Sequence, residues 1–123
     1  MKTELNPNAR KWVDALRSGE YQQGRAYLVR MSPEGWQHCC LGVACELAAE
    51  SGAPVRREEY PDVVRFNNEG SALPDSVAKW LGLRSRCGHF ENDAKALYLE
   101  NDNGKTFAEI ADIIESQPQG LFA

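Results

Sequence analysis

The stretch GWQHCCLGVACELAAESG, residues 35–52, sets His38 beside Cys39 and Cys40 and adds Cys45 shortly after. Of the chain's 4 cysteines and 2 histidines, only Cys87 and His89 lie elsewhere. Thiols and imidazoles in one place can bind zinc, or act as a nucleophile and its base. Structural zinc sites draw on two close ligand pairs. Cys40 and Cys45, at i and i+5 of a predicted helix, are turned about 140° from one another and cannot both face one ion. His38, Cys39, Cys87 and His89 remain open as a set, but their spacing follows no zinc signature. A thiol at a helix start is activated for attack, and Cys39 or Cys40 stands at such a start. His38 or His89 would then be the base, with Asn92 or Asp93 to orient it. Against this, cysteine in an apolar helix behaves as a small hydrophobe, and CCLGVAC is such a run. The cluster is therefore read as packing, with no catalytic residue, metal or cofactor assigned.

The second kind of chemistry is anion capture. Arg25, Arg30 and Arg65 stand on expected strands, where guanidinium groups can pair with phosphate or carboxylate. Tyr27, Trp36, Tyr60 and Phe66 offer rings for stacking. Asn67, Asn68, Asn101 and Asp102 can read a sugar or a base edge, and the helix starts near Cys40 and Thr106 offer free N–H groups. The expected ligand-binding set is Arg25, Arg30, Trp36, His38, Arg65, Asn67, Asn101 and Asp102. The formal net charge of −4 argues against a protein that coats duplex nucleic acid. A calcium loop around Gly104 fails, because the register puts Leu99 and Ile110 at its first and last ligand positions. No phosphate-binding loop, dinucleotide fingerprint, nucleophile elbow or His-Glu-x-x-His is present.

These residues need a scaffold. The 123 residues, 42% hydrophobic, suit one domain able to bury roughly two thirds of its unfolded surface. No apolar run reaches membrane length and no signal-peptide pattern opens the chain, so a cytoplasmic protein with reduced thiols is expected. Asn6 caps and Pro7 opens a first helix, whose apolar stripe of Ala9, Trp12, Val13 and Leu16 runs to a stop at Gly19. Residues 25–31 read as a strand, SPEG as a turn, and WQHC as its return strand. A helix apolar on nearly every side follows from Cys40 to a stop at Gly52, and such a helix is buried. Residues 63–67 read as a strand, LPDSVAKWLGL as a short helix, 84–95 as a loop, and ALYLE as strand or helical turn. NDNG, residues 101–104, reads as a tight turn. Thr106 and Glu109 then form a capping box for a last helix striped with Phe107, Ile110, Ile113 and Ile114. The expectation is a single α+β domain over residues 1–123, about four helices around a buried central one, with a small antiparallel sheet.

The order HCCLGVACELA, LPDSVAKWLGL and NDNGKTFAEIADIIE resembles a group of small, largely uncharacterised proteins of bacteriophages and their bacterial hosts. The likeness spans nearly the whole chain, and Glu100 departs from it by standing where the pattern has leucine. It implies a phage or prophage origin, and a location in the host cytoplasm if phage-encoded. Small phage proteins without an enzyme motif often act by binding something of the host's, including defence proteins and nucleotide signals. Joined to the pocket reading, the expected function is anti-defence capture of a small anionic, nucleotide-like ligand without turnover. A homo-oligomer would complete the pocket. The alternatives are an inhibitor or adaptor docking on a host protein, and a cysteine-dependent enzyme.

Overall fold

Asn6 Oδ1 accepts from Ala9 N at 2.8 Å, Pro7 takes the first turn, and Gly19 closes the helix at φ 79°. That is α1, Pro7–Ser18, with Ala9, Trp12, Val13 and Leu16 buried as the stripe predicts. The structure, a computed structural model, describes residues 4–123. It is an α+β domain with five helices, one mixed five-stranded sheet and one two-stranded sheet.

The chain turns at Gly19 into β1 (Gln22–Gln23) and then loops before β2 (Val29–Ser32), β3 (Gly35–His38) and the central helix α2 (Cys40–Glu50). The strand expected over residues 25–31 begins only at Val29. Ala26 sits at φ 70°, and Tyr27 N closes back on Arg25 O at 2.8 Å, so the chain bends where a strand would run straight. β4 (Arg57–Glu59) and β5 (Val63–Phe66) complete the sheet in the order β1-β3-β2-β5-β4. All its pairings are antiparallel except β1 with β3, which puts Gln22 opposite Gln37 and Gln23 opposite His38. Alternation then gives the sheet two faces. Val29, Val64 and His38 look toward α2, while Arg30, Gln37, Val63 and Arg65 look away.

α2 is the buried axis that its composition demands: Cys40 to Cys45 and Ala48 all lie inside. Trp12 pins it, donating from Nε1 to Cys40 O at 2.9 Å. α3 (Asp75–Leu81) follows Pro74 and stops at Gly82 in the left-handed region. The span 84–95, expected as a loop, carries two short strands, β6 (His89–Phe90) and β7 (Lys95–Ala96). ALYLE resolves as helix, because α4 (Leu97–Asp102) begins at Leu97 and runs through Asn101. The expected turn at NDNG therefore starts two residues late, at Asn103. α5 (Phe107–Glu115) carries both bonds of the capping box and packs along α1, where Arg17 pairs with Asp112 and Glu115.

The cap is testable. Thr106→Ala leaves Glu109 N without its 3.2 Å acceptor and is expected to lower stability by about 1 kcal/mol in urea denaturation. An unchanged midpoint would show that α5 is held by packing alone.

Candidate functional site: a groove along the loop after the first strand

The loop between β1 and β2 is held from one side by a single buried side chain. Asn101, fully buried at the end of α4, accepts on Oδ1 from Gln23 Nε2 (3.0 Å) and from Cys40 N (3.2 Å), and donates from Nδ2 to Gly24 O (2.8 Å). Gln23 extends the network to α5 by accepting from Phe107 N at 3.1 Å and donating to Lys105 O at 2.7 Å. Beside it, Asp102 Oδ1 accepts from Ala26 N at 3.0 Å, fixing the left-handed residue of the loop. Two of the sequence's densest motifs, the double cysteine and Asn-Asp-Asn-Gly, thus meet through Asn101 and Cys40.

Three depressions follow this loop. The first lies between Arg25, Lys105 and Gly104. The second, about 340 Å³, is lined by Ala26, Cys39, Ala72, Cys87, Tyr98 and Asp102. The third, also about 340 Å³, is lined by Tyr27, Arg65, Asn68 and Gly70, and meets the second at Ser71. Arg25–Ala26 and Asn101–Asp102 join the first to the second. The three depressions form a row along the loop, a segmented groove with cations in the outer two and thiols, alanine and one carboxylate in the middle one.

Charge is unevenly distributed around this groove. Arg10, Arg17, Arg56, Arg57, Arg84 and Arg86 each face a carboxylate. Among the described residues, Arg25, Arg30 and Arg65 pair with none. Arg65 lies over the Tyr60 ring and Arg30 over the Tyr27 ring, each 5.5 Å from the centroid. Tyr27 also lines the groove, so Arg30 stands just behind its end on the outer face of the sheet. A larger cavity of about 410 Å³ lies between α4, α5 and the β6–β7 hairpin, but Glu91, Glu100, Glu109 and Asp112 line it. Four carboxylates against two lysines disfavour an anion there.

Asn101 lines the first depression, but its amide is bonded on both sides to the protein. The remaining expected contacts fall elsewhere. Asn67 Oδ1 accepts from Arg56 N at 2.7 Å and stabilises the left-handed residue after β5. Trp36 packs toward the core on the α2 side of the sheet. His38, on the same side, is buried with Nε2 3.0 Å from Glu46 Oε2 and an edge-on contact to Tyr21. Its Nδ1 is buried without a hydrogen-bond partner. Tyr98, Ser71, Cys87 and Lys105 line the groove without having been singled out for it in the sequence, since each comes from a different segment.

Burial governs the thiols. Burial pushes Cys39 up to about 11, although the Gly42 and Leu41 amides at the start of α2 pull the other way. Burial likewise raises Cys40, Cys45 and Cys87. They are neutral at pH 7 and pack as small apolar groups. Among the described residues, no group of three or more His, Cys, Asp or Glu converges to hold a metal ion.

A sequence model described as a domain of unknown function, DUF8296, matches residues 1–118. The chain belongs to the DUF8296 family. No curated protein and no solved structure matches this DUF8296 chain. No described helix of the DUF8296 domain is long and apolar enough to cross a membrane.

Glu46, on α2, ties that helix to β3 and β4 through His38 and Arg57. Burial alone would raise its carboxyl, but hydrogen bonds from His38 and Arg57 outweigh that and hold it below the usual value of 4.5. A carboxylate with a depressed folded pKa stabilises the protein above its unfolded pKa, and that contribution is lost as pH falls through the folded value. Glu46→Gln is therefore expected to cost about 1–2 kcal/mol at pH 7, with the gap to the parent closing below pH 4.5. Urea midpoints from pH 3 to pH 7 read this directly, and a gap independent of pH would mean the charge is not what matters.

Proposed function

We propose that this protein binds and holds a small nucleotide-like anion in the groove along the 24–28 loop, capturing it without turnover. The observation that carries this is that Arg25 and Arg65, at opposite ends of one groove, have no carboxylate partner while most other arginines do. Unpaired guanidinium groups at a concave, partly apolar surface are suited to phosphate, and Tyr27 and Tyr98 supply rings for a base. Neutral thiols on the floor supply no attacking group, which favours capture over chemistry. The resemblance to phage proteins extends the proposal to an origin and a purpose: a phage-encoded protein that removes a nucleotide signal of the host's defences, in the host cytoplasm. A second copy covering the open side of the groove would bury the ligand.

The test is titration calorimetry and thermal shift against a panel of mononucleotides, cyclic nucleotides and ADP-ribose-type ligands. A member of the panel is expected to raise the melting temperature and to be released intact after heat denaturation. Arg25→Ala and Arg65→Ala are each expected to weaken that ligand by about tenfold or more while leaving the melting temperature of the free protein unchanged. No shift with any member of the panel would overturn the proposal, and release of an altered nucleotide would point to an enzyme.

A second reading has its own observation. Tyr27 and Tyr60 are each 43% exposed, and Arg30 and Arg65 accompany them, a composition typical of protein-docking hot spots. This favours an adaptor or inhibitor that meets a host protein through the outer sheet face. Arg30→Ala separates the two: it should spare nucleotide binding relative to Arg65→Ala, but weaken docking of a protein.

A further inference from the structure

Between its two cationic ends the groove narrows chemically to one carboxylate. Asp102 is the charged side chain of the middle depression, and among the described residues no lysine, arginine or histidine pairs with it. It is not free to swing. Oδ1 is fixed by Ala26 N at 3.0 Å and lies 3.5 Å from Asn101 Nδ2. An ionised carboxylate has about four acceptor positions, so those on Oδ2 remain for a ligand. The surroundings bar a phosphate from this point, because Cys39, Cys87 and Ala72 bring no positive charge to offset the repulsion. They also suit a flat apolar body better than a hydroxylated sugar, with the Tyr98 ring on the wall.

A base docked there must present hydrogen-bond donors to Asp102. Adenine and cytosine each place a ring-nitrogen acceptor beside the amino group, which a carboxylate repels. Uracil offers one N–H flanked by two carbonyl oxygens. Guanine offers N1–H and the 2-amino group side by side, and both can converge on the one oxygen that remains, Oδ2. Resting on the capture reading above, we infer that Asp102 makes the groove selective for a guanine nucleotide, the base over the thiol floor and the phosphate toward an arginine end. A site built to pair with a ligand's donors rejects an analogue lacking them far more strongly than an apolar pocket does.

Binding of GMP, IMP, AMP and 2′-deoxy-GMP to the full chain, by calorimetry at one salt concentration, tests this. GMP is expected to bind tightest, IMP about tenfold weaker for the missing amino group, and AMP about 100-fold weaker or worse. Deoxy-GMP is expected to match GMP. Asp102→Asn keeps an acceptor for Ala26 N and is expected to melt near the parent, yet to bring GMP and AMP within about threefold of one another. The parent's own GMP-to-AMP ratio tests the inference even if that variant is unstable. Equal binding of AMP and GMP overturns guanine selectivity and leaves capture standing. A preference for GMP over deoxy-GMP without a preference over AMP overturns it in favour of sugar recognition. No binding by any of the four, or by the wider panel, overturns both.

Discussion

Gly42→Ala is expected to leave little or no folded protein, at a cost of about 4 kcal/mol or more. A methyl group on Gly42 would lie 1.8 Å from Leu28 O and 2.7 Å from Leu28 C, inside the backbone of the chain that leads into β2. Helix α2 is fixed by Trp12 on Cys40 O and by Asn101 on Cys40 N, so it has no free direction in which to retreat. The gain from exchanging glycine for alanine within a helix, about 1 kcal/mol, is far smaller than the clash. Circular dichroism with urea denaturation decides it, and a variant as stable as the parent would mean that Leu28 can move aside. The glycine of the CCLGVAC motif is thus explained by contact: it lets the central helix touch the backbone at Leu28, just before β2.

Asn101→Ala is expected to cost about 3–5 kcal/mol. It leaves Cys40 N and Gly24 O buried without their partners, and each orphaned buried group costs about 1–3 kcal/mol. Gln23 keeps Lys105 O and loses one of its two acceptors. Asn101→Asp separates the parts of this loss. It keeps the acceptor for Cys40 N, loses the donor to Gly24 O and places a carboxyl where burial raises its pKa. That variant binds a proton more tightly folded than unfolded, so its stability should fall as pH rises from 4 to 7. A flat pH profile would indicate that water reaches the site.

Helices α1, α2, α3 and α5 were legible because their signals are local, whereas α4 runs from ALYLE, open between strand and helical turn, into the residues expected as a turn. Asn6, Pro7 and Gly19 bound α1, Thr106 and Glu109 start α5, and the apolar run from Cys40 to Cys45 marks the buried α2. β1 and β4 were not legible, for a physical reason. Gln22–Gln23 and Arg57–Glu59 carry no apolar alternation, and they are strands only because β3 and β5 offer unpaired edges. The same limit applies to the site. Alternation says that Trp36 and His38 share a face, but not that α2 covers it. Arg25, Arg65 and Asp102 could be nominated by residue type, whereas Tyr98, Ser71 and Cys87 enter through tertiary packing that no short window contains. By type and neighbours Asn101 is a polar residue in a turn; its burial follows from α4 continuing through it.

The network around Asn101 also orders events in time. Its bonds span 61 residues to Cys40, 77 to Gly24 and 78 to Gln23, and Gln23 reaches 84 residues to Phe107. Contacts of such sequence separation carry a large loop-closure cost and slow folding. The β2–β3 hairpin and α2 can assemble from neighbouring residues, but the loop at 24–28 acquires its shape only once α4 has arrived. Loss of the Asn101 side chain should therefore hasten unfolding far more than it delays folding. A chain in which α4 has not yet docked is expected to have the thiols, the arginines and the central helix, and still no groove.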